Sequence, residues 1–311
     1  MAGWQSGYAA ACKAVYAGSI PASASNVVVF MKIAIIGNGF VGSTIDKGFC
    51  LSSENFVIDP LLNNKIEDLN GIDLDIIFIC VPTPMSKDGS IDGSIILEVF
   101  SDIKKSCNDP LVVIKSTITP EIIDKILKIN EKVVYNPEFL REKHALDDFR
   151  NCPTHIFGGK KEHSKQIAKI YKDYSLCKTE ECIYIDINSA SLIKYTINSF
   201  LALKVIFFNE IHKLFSETKT DISWEEFIHS ISSDKRIGSS HMDVPGHDGR
   251  FGFGGACFPK DTSAIVKFSE NMDSDLTLLK KAIEINNKIR SSYKDLDDRE
   301  KEQGVFFNKK L

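Results

Sequence analysis

Six residues constrain the fold of this chain more than any others: Gly37-Asn38-Gly39-Phe40-Val41-Gly42, set between a short apolar run, Lys32–Ile36, and a helical pattern that continues through Phe49. The spacing is G-x-G-x-x-G in the order strand, glycine turn, helix, which is the setting in which it has mechanical meaning. The first glycine allows the tight turn, the second lets a pyrophosphate approach the backbone, and the third lets the helix pack on the strand. A pyrophosphate so placed rests on a helix N-terminus, where unsatisfied N–H groups and the helix dipole favour anions. A second strand-like run, Phe56-Val57-Ile58, ends in Asp59, twenty positions beyond Gly39. A carboxylate there accepts hydrogen bonds from ribose hydroxyls and repels a 2′-phosphate, which points to NAD rather than NADP. Gly37, Gly39, Phe40, Val41, Gly42 and Asp59 are the first candidate cofactor residues.

The alternation of strand and helix patterns continues down the chain. Asp75–Val81 is an unbroken apolar run, as expected of a strand covered on both faces. Ile95–Lys104 reads as helix, Leu111–Lys115 as strand, Glu121–Ile129 as a helix opened by Pro120, and Val133–Tyr135 as strand. Thr154–Phe157 and Cys182–Ile185 read as further strands, with the helix Ser164–Tyr171 between them. The pattern predicts an α/β fold with an N-terminal doubly wound, Rossmann-like sheet. In such sheets ligands bind beyond the carboxyl ends of the strands. Thr83, Thr117 and Glu138 all follow strand ends and should ring one crevice, with Thr83 and Thr117 facing the cofactor.

From Ser189 the pattern becomes helical, past Phe208 towards Phe215. Lys194 and Asn198 stand at i and i+4 in this helix and share a face. Trp224–Ile231, Thr262–Phe268 and Leu276–Arg290 read as further helices. Between them runs Phe251-Gly252-Phe253-Gly254-Gly255-Ala256-Cys257-Phe258-Pro259-Lys260-Asp261, with three glycines, a cysteine and an aspartate in eleven residues. Glycines at that density let a backbone approach a ligand closely. A cysteine at the end of such a loop, near a lysine and a carboxylate, fits an activated nucleophile, because nearby cations and helix termini favour the thiolate. It equally fits a buried structural thiol when taken alone.

Composition narrows the classes. The 311 residues are 43% hydrophobic and 26% charged, with a net charge of −4 and no long basic block, which argues against a nucleic-acid partner. The eight cysteines include no C-x-x-C pair, which argues against a zinc site and against a secreted disulfide scaffold, so no metal and a reducing, cytoplasmic setting are expected. The apolar run Val27–Ile36 is half the length of a membrane span, so no membrane partner is expected. Residues 1–30 lack the periodicity of the rest and read as a disordered or non-native leader, with Met31 as the functional start. The expected division is a leader over 1–30, a nucleotide-binding domain over 31–188, an all-helical dimerisation and substrate domain over 189–300, and a tail over 301–311.

Seven separated stretches in one order give a resemblance to the UDP-glucose dehydrogenase (nucleotide-sugar 6-dehydrogenase) family. They are Gly37–Gly42, Val81-Pro82-Thr83-Pro84, Lys115-Ser116-Thr117, Asn136-Pro137-Glu138-Phe139-Leu140, Lys194 with Asn198, Arg236-Ile237-Gly238, and Gly254–Asp261. The resemblance spans about Met31 to Arg290. It implies NAD-dependent, four-electron oxidation of the C6 alcohol of a nucleotide sugar, UDP-glucose above all, to the uronic acid. It implies that Cys257 attacks the aldehyde and carries a thioester, that Lys194 and Asn198 stabilise the oxyanion on C6, and that Asp261 with Thr117 and a water moves protons. Glu138 would activate water for thioester hydrolysis, with Phe139 and Leu140 beside it against the substrate. Phe253, Gly254 and Gly255 would wrap the sugar by backbone contacts, Arg250 would meet a phosphate, and Arg236 would reach a neighbour's substrate across a homodimer or higher oligomer. Members of the family carry a third, C-terminal α/β domain, and the final residues 291–311 are too few to supply one. Two alternatives stay open: a two-electron hydroxyacid dehydrogenase of the 6-phosphogluconate type, which has no use for Cys257, and a non-catalytic NAD-binding protein.

Overall fold

The computed structural model describes residues 30–307, so the expected leader lies outside the described residues but for Phe30. The chain divides into two compact units. The first holds the residues up to Pro82, Ser94–Ser116 and Pro120–Ser191. The second holds Thr83–Gly93, Thr117–Thr119 and the chain from Leu192 onward. The loops after two strands thus belong to the second unit, which a boundary drawn along the sequence does not anticipate.

The first unit opens with β1 (Met31–Ile36), α1 (Phe40–Gly48), β2 (Ser53–Ile58) and β3 (Ile76–Ile79). It continues with α2 (Ser94–Ser106), β4 (Leu111–Ile114), α3 (Pro120–Leu127), β5 (Val133–Tyr135) and α4 (Ala145–Arg150). It ends with β6 (His155–Gly159), α5 (Lys161–Tyr174) and β7 (Cys182–Ile185). The strands form one seven-stranded sheet in the order β2-β1-β3-β4-β5-β6-β7. β3 and β4 read Ile-Ile-Phe-Ile and Leu-Val-Val-Ile and are buried throughout, the mark of central strands covered on both faces. The chain leaves β1 outward to β2 and then crosses back to β3, which makes the β1/β3 boundary the topological switch point where such sheets bind ligands.

One feature of the sheet departs from a simple doubly wound pattern. β5 and β6 are antiparallel, with Val134 opposite Gly159 and Tyr135 opposite Gly158. Parallel neighbours need a face-covering crossover. The connection here has instead only a short 3₁₀ turn and the six-residue α4. Phe149 of α4 packs on α1, where a Cβ at Gly48 would fall 2.4 Å from its ring. Phe49, Phe78, Phe149, Phe157 and Tyr171 then form an aromatic cluster in the core. Truncating one such fully buried ring typically costs about 3–5 kcal/mol.

The second unit is helical. α6 (Ile187–Glu217) begins in the first unit and continues into it, followed by α7 (Trp224–Ser232), α8 (Phe258–Asn271), α9 (Thr277–Arg290) and α10 (Asp298–Glu302). α7 starts at a capping box, Ser223 with Glu226, and packs through Trp224, Ile228 and Ile231 on Phe208, Met242 and Val244. α6 is long and apolar enough to cross a membrane by length and composition. Its buried side carries Lys194, Asn198 and Asn209. Two expectations are corrected. α8 begins at Phe258, four residues before the predicted Thr262, because Pro259 is accommodated in the first turn. The boundary expected between the helical domain and a tail over 301–311 falls inside α10, which is capped by Asp297 and Glu300, and Val305 within that tail is buried.

Candidate active-site elements

The glycine turn lies in the first unit. Gly37 has φ +95°, and a Cβ there would fall 2.7 Å from the Cys80 carbonyl oxygen at the end of β3. At Gly42 a Cβ would fall 1.8 Å from the Gly37 oxygen, so helix and turn touch backbone to backbone. Gly39, the N-cap of α1, differs: an added Cβ would meet nothing within 4 Å. Open space over a helix N-terminus is what a pyrophosphate requires. Phe40 and Val41 open α1, half-buried, and the Phe40 carbonyl accepts from the Thr44 hydroxyl at 2.8 Å.

Asp59 is tied to this turn. Its Oδ2 accepts the Asn38 N–H at 2.7 Å and its Oδ1 the Leu61 N–H at 2.9 Å, while Gly37 N–H donates to the Ile58 carbonyl. The carboxylate therefore holds the turn as well as facing solvent beside it. Behind the turn, burial pushes the Cys80 thiol up to about 12, so it is a neutral wall.

At the end of β5 the Glu138 Oε2 accepts the Leu140 N–H at 2.8 Å. Phe139 is exposed, whereas Leu140 packs on the sheet core. The neighbouring Lys115 and Asn136 turn out to be internal: Lys115 Nζ donates to Asn136 Oδ1 at 2.8 Å, Tyr171 donates to the same oxygen at 2.8 Å, and Asn136 Nδ2 donates to the Ile156 carbonyl at 2.9 Å. This buried knot ties β4, β5, β6 and α5 together.

In the second unit, the Thr83 hydroxyl donates to the Thr117 carbonyl at 2.9 Å, joining the two strand-end loops. Cys257 is the exposed N-cap residue of α8, and its carbonyl accepts the Asp261 N–H at 2.8 Å. The unsatisfied N–H groups of that first turn favour negative charge on a group placed there. One turn on, Asp261 is fully buried. Asn198 Nδ2 donates to its Oδ2 at 2.6 Å, and Lys260 Nζ pairs with its Oδ1 at 2.7 Å. Lys194, one turn before Asn198 on α6, is likewise buried. Thus a solvent-facing thiol sits one helical turn from a buried carboxylate carrying an amide and an ammonium.

The glycine loop ahead of Cys257 is held by this unit's own side chains. Phe251 N–H donates to the Tyr293 hydroxyl, Gly252 N–H to Asn209 Oδ1, Phe253 N–H to Asn286 Oδ1 and Gly255 N–H to Glu300 Oε1, at 2.7–3.0 Å. Those donors are therefore engaged in shaping the loop. Arg290 completes the frame, pairing with Asp248 at 2.7 Å and donating to the Gly252 carbonyl, and it leaves no room for a side chain at Gly254. Arg250 donates to the Asp295 carbonyl at 2.7 Å and lies over the Tyr293 ring. Arg236 is exposed and paired with Asp234.

Sequence reasoning missed Lys260 as a partner of Asp261, and it missed Asn209, Asn286, Arg290 and Glu300 as the frame of the loop. Asn209 had a signal, since it lies eleven residues, three helical turns, beyond Asn198. The others are brought in from elsewhere in the chain, and no local pattern marks them.

Residues 69–175 match the NAD binding domain, and residues 188–288 the central domain, of the UDP-glucose/GDP-mannose dehydrogenase family. The chain is 34% identical over 301 residues to UDP-glucose 6-dehydrogenase YwqF of Bacillus subtilis, covering 83% of this chain and 66% of that protein. It is 31% identical over 304 residues to UDP-glucose 6-dehydrogenase of Rickettsia prowazekii, covering 84% and 68%. Among solved structures it resembles a UDP-glucose dehydrogenase from Pyrobaculum islandicum, with a TM-score of 0.68, 25% identity, and 87% and 70% of the two chains covered. It shares its fold with 3-hydroxyisobutyrate dehydrogenase of Mycobacterium tuberculosis at a TM-score of 0.63 and 16% identity, covering 86% and 96%. The chain spans 66%, 56% and 63% of the length of three curated relatives.

Proposed function

The chain belongs to the UDP-glucose/GDP-mannose dehydrogenase family, and from that premise we propose that it oxidises the C6 alcohol of a nucleotide sugar, UDP-glucose first among them, to the uronic acid. The observation that carries this reading is Cys257 at the start of α8, one turn from an Asp261 held by Asn198 and Lys260.

The residues that would hold the dinucleotide are Gly37, Gly39, Phe40, Val41, Gly42 and Asp59, with Thr83 and Thr117 from the strand-end loops, and the open space over Gly39 fits a pyrophosphate. NAD, when bound, supplies the hydride acceptor for both oxidations. Lys194 and Asn198 donate to the oxygen on C6 as negative charge develops there. Asp261, with Thr117 and a water, receives the hydroxyl proton. The Cys257 thiolate then adds to the aldehyde carbon, and loss of a second hydride turns the thiohemiacetal into a thioester. Water positioned by Glu138 breaks the C–S bond, which returns the thiolate and releases the carboxylate. The balance is one alcohol, one water and two NAD+ in, and one carboxylate, two NADH and three protons out.

Apolar residues on α6 support a homo-oligomer. Leu192, Phe200, Phe207 and Leu214 are exposed at spacings of seven or eight residues, a stripe on one side of the helix. A Phe200→Glu/Phe207→Glu protein should sediment as a smaller species than the unmutated one; equal sedimentation would remove this support.

The alternative, two-electron reading shares the fold of the 3-hydroxyisobutyrate enzyme but leaves Cys257 without a task. The deciding experiment is NADH formed per sugar nucleotide consumed across UDP- and GDP-sugars. Two supports the thioester route, and one favours the alternative.

A further inference from the structure

Scattered cysteines without a C-x-x-C pair argue against zinc in the sequence, yet the fold gathers ligands that the spacing conceals. Cys152 follows α4, His155 opens β6, and Cys177 lies between α5 and β7. Each brings one donor atom to within 4.8 Å of the others. Cys177 Sγ lies 3.0 Å and Cys152 Sγ 3.6 Å from the same His155 nitrogen, Nε2, and the two sulfurs are 4.0 Å apart. A single ion can span a triangle of that size at about 2.3 Å from each sulfur and about 2.0–2.1 Å from the nitrogen, which are the bond lengths of zinc.

The surroundings fit a built site. His155 is buried, and its ring packs against Phe157 and Tyr171, with centroids 5.4 and 4.5 Å away, which fixes the ring with Nε2 beside Cys177 Sγ and with Cys152 Sγ 3.6–3.7 Å from both ring nitrogens. The Thr179 hydroxyl donates to the Cys152 carbonyl and lies 3.3 Å from Cys152 Sγ, so it fixes the stretch of chain that carries Cys152. Cys182 is the register partner of His155 on the parallel strand β7. It packs on the same core as Cys177. Two thiolates and an imidazole select zinc over the oxygen-seeking cations.

We propose that Cys152, His155 and Cys177 form a structural zinc site in the nucleotide-binding unit. The ion clips the linker after α4 and the loop after α5 to the antiparallel strand β6, the part of the sheet that lacks a full crossover. It closes the 25-residue separation between the two cysteines. Ligation would release the thiol protons, so affinity falls in acid.

The test uses the full chain, expressed with zinc, kept reduced and exchanged into metal-free buffer. Elemental analysis should find about one zinc per chain. Cobalt exchanged into the protein should show the intense visible bands of a tetrahedral thiolate site. Chelation should lower the melting temperature of the unmutated protein, and zinc chloride should restore it. Cys177→Ser and His155→Gln should bind zinc at least about tenfold more weakly, and their melting should not respond to chelator. Because either variant could fold poorly, the chelation and reconstitution of the unmutated chain stand as a separate arm. The proposal is overturned if reduced protein given excess zinc retains none and melts unchanged. It is also overturned if the native protein is about 2 Da lighter than its reduced form with Cys152 and Cys177 linked.

Discussion

Asn198 donates to Asp261 at 2.6 Å across 63 residues of sequence, joining α6 to the first turn of α8 behind the Cys257 thiol. Both partners are buried, and Lys260 occupies the other carboxylate oxygen. An amide held by one N–H to a fixed carboxylate has its remaining polar atoms aimed, which is the preorganisation that a developing oxyanion needs. Asn198 is thus a donor whose orientation is set by Asp261, and the two should be inseparable in function.

Replacing Asn198 by Ala should therefore have two effects. It strips a donor from a buried carboxylate, worth about 1–3 kcal/mol of stability by urea titration. It should also lower kcat on the order of 10²–10³, as expected for loss of one oxyanion donor. If Asn198→Ala unfolds and turns over like the unmutated protein, the Asn198–Asp261 pair has neither role.

Cys257→Ser should fold normally, because the side chain is exposed, and should bind NAD unchanged. Turnover should stall after the first oxidation or at a slowly hydrolysed ester, visible as a sugar adduct by intact mass. Alkylation near neutral pH should label Cys257 and spare Cys80, whose half-buried thiol is pushed up to about 12 by desolvation. Full turnover of Cys257→Ser with two NADH per sugar would refute the thioester.

The glycines of the turn should separate fold from binding. Gly42→Ala places a Cβ 1.8 Å from the Gly37 oxygen and should lower the melting temperature. Gly39→Ala meets no protein atom within 4 Å, so melting should hold while NAD affinity drops about tenfold or more. Asp59→Ala should weaken NAD and relax discrimination against NADP, since it removes both the ribose acceptor and the partner of Asn38. Titrating both cofactors checks this; equal affinity of the unmutated protein for each would contradict the assignment.

Glu300→Ala should disorder the glycine loop ahead of Cys257 from outside it. The change leaves the Gly255 and Asp297 N–H groups without their buried acceptor, at about 1–3 kcal/mol. The sugar KM should rise and kcat fall while NAD binding, measured alone, stays unchanged. A variant with native kinetics would show that residues 297–305 do not support the loop.

What was legible in the sequence is local. The glycine turn, the strand-ending Asp59, the i, i+4 pair Lys194 and Asn198, and the cysteine loop each lie within one element or one turn, where backbone geometry and helical period dictate position. The β/α alternation likewise foretold a sheet with both faces covered. Element ends slipped by a few residues, as at α8, which starts at Phe258 rather than Thr262 because a proline is tolerated in a first helical turn.

Only the tertiary structure decided which distant groups meet. Glu300 reaches Gly255 from 45 positions away, Asn209 reaches Gly252 from 43, and Cys177 reaches His155 from 22. The antiparallel turn into β6 belongs to the same class. No spacing rule encodes such pairs, because they depend on how the apolar faces of separate elements are buried together, and that is a property of the packed chain. The sequence by itself thus determined the type of each element and the chemistry of each loop, while packing determined which side chains hold those loops in shape.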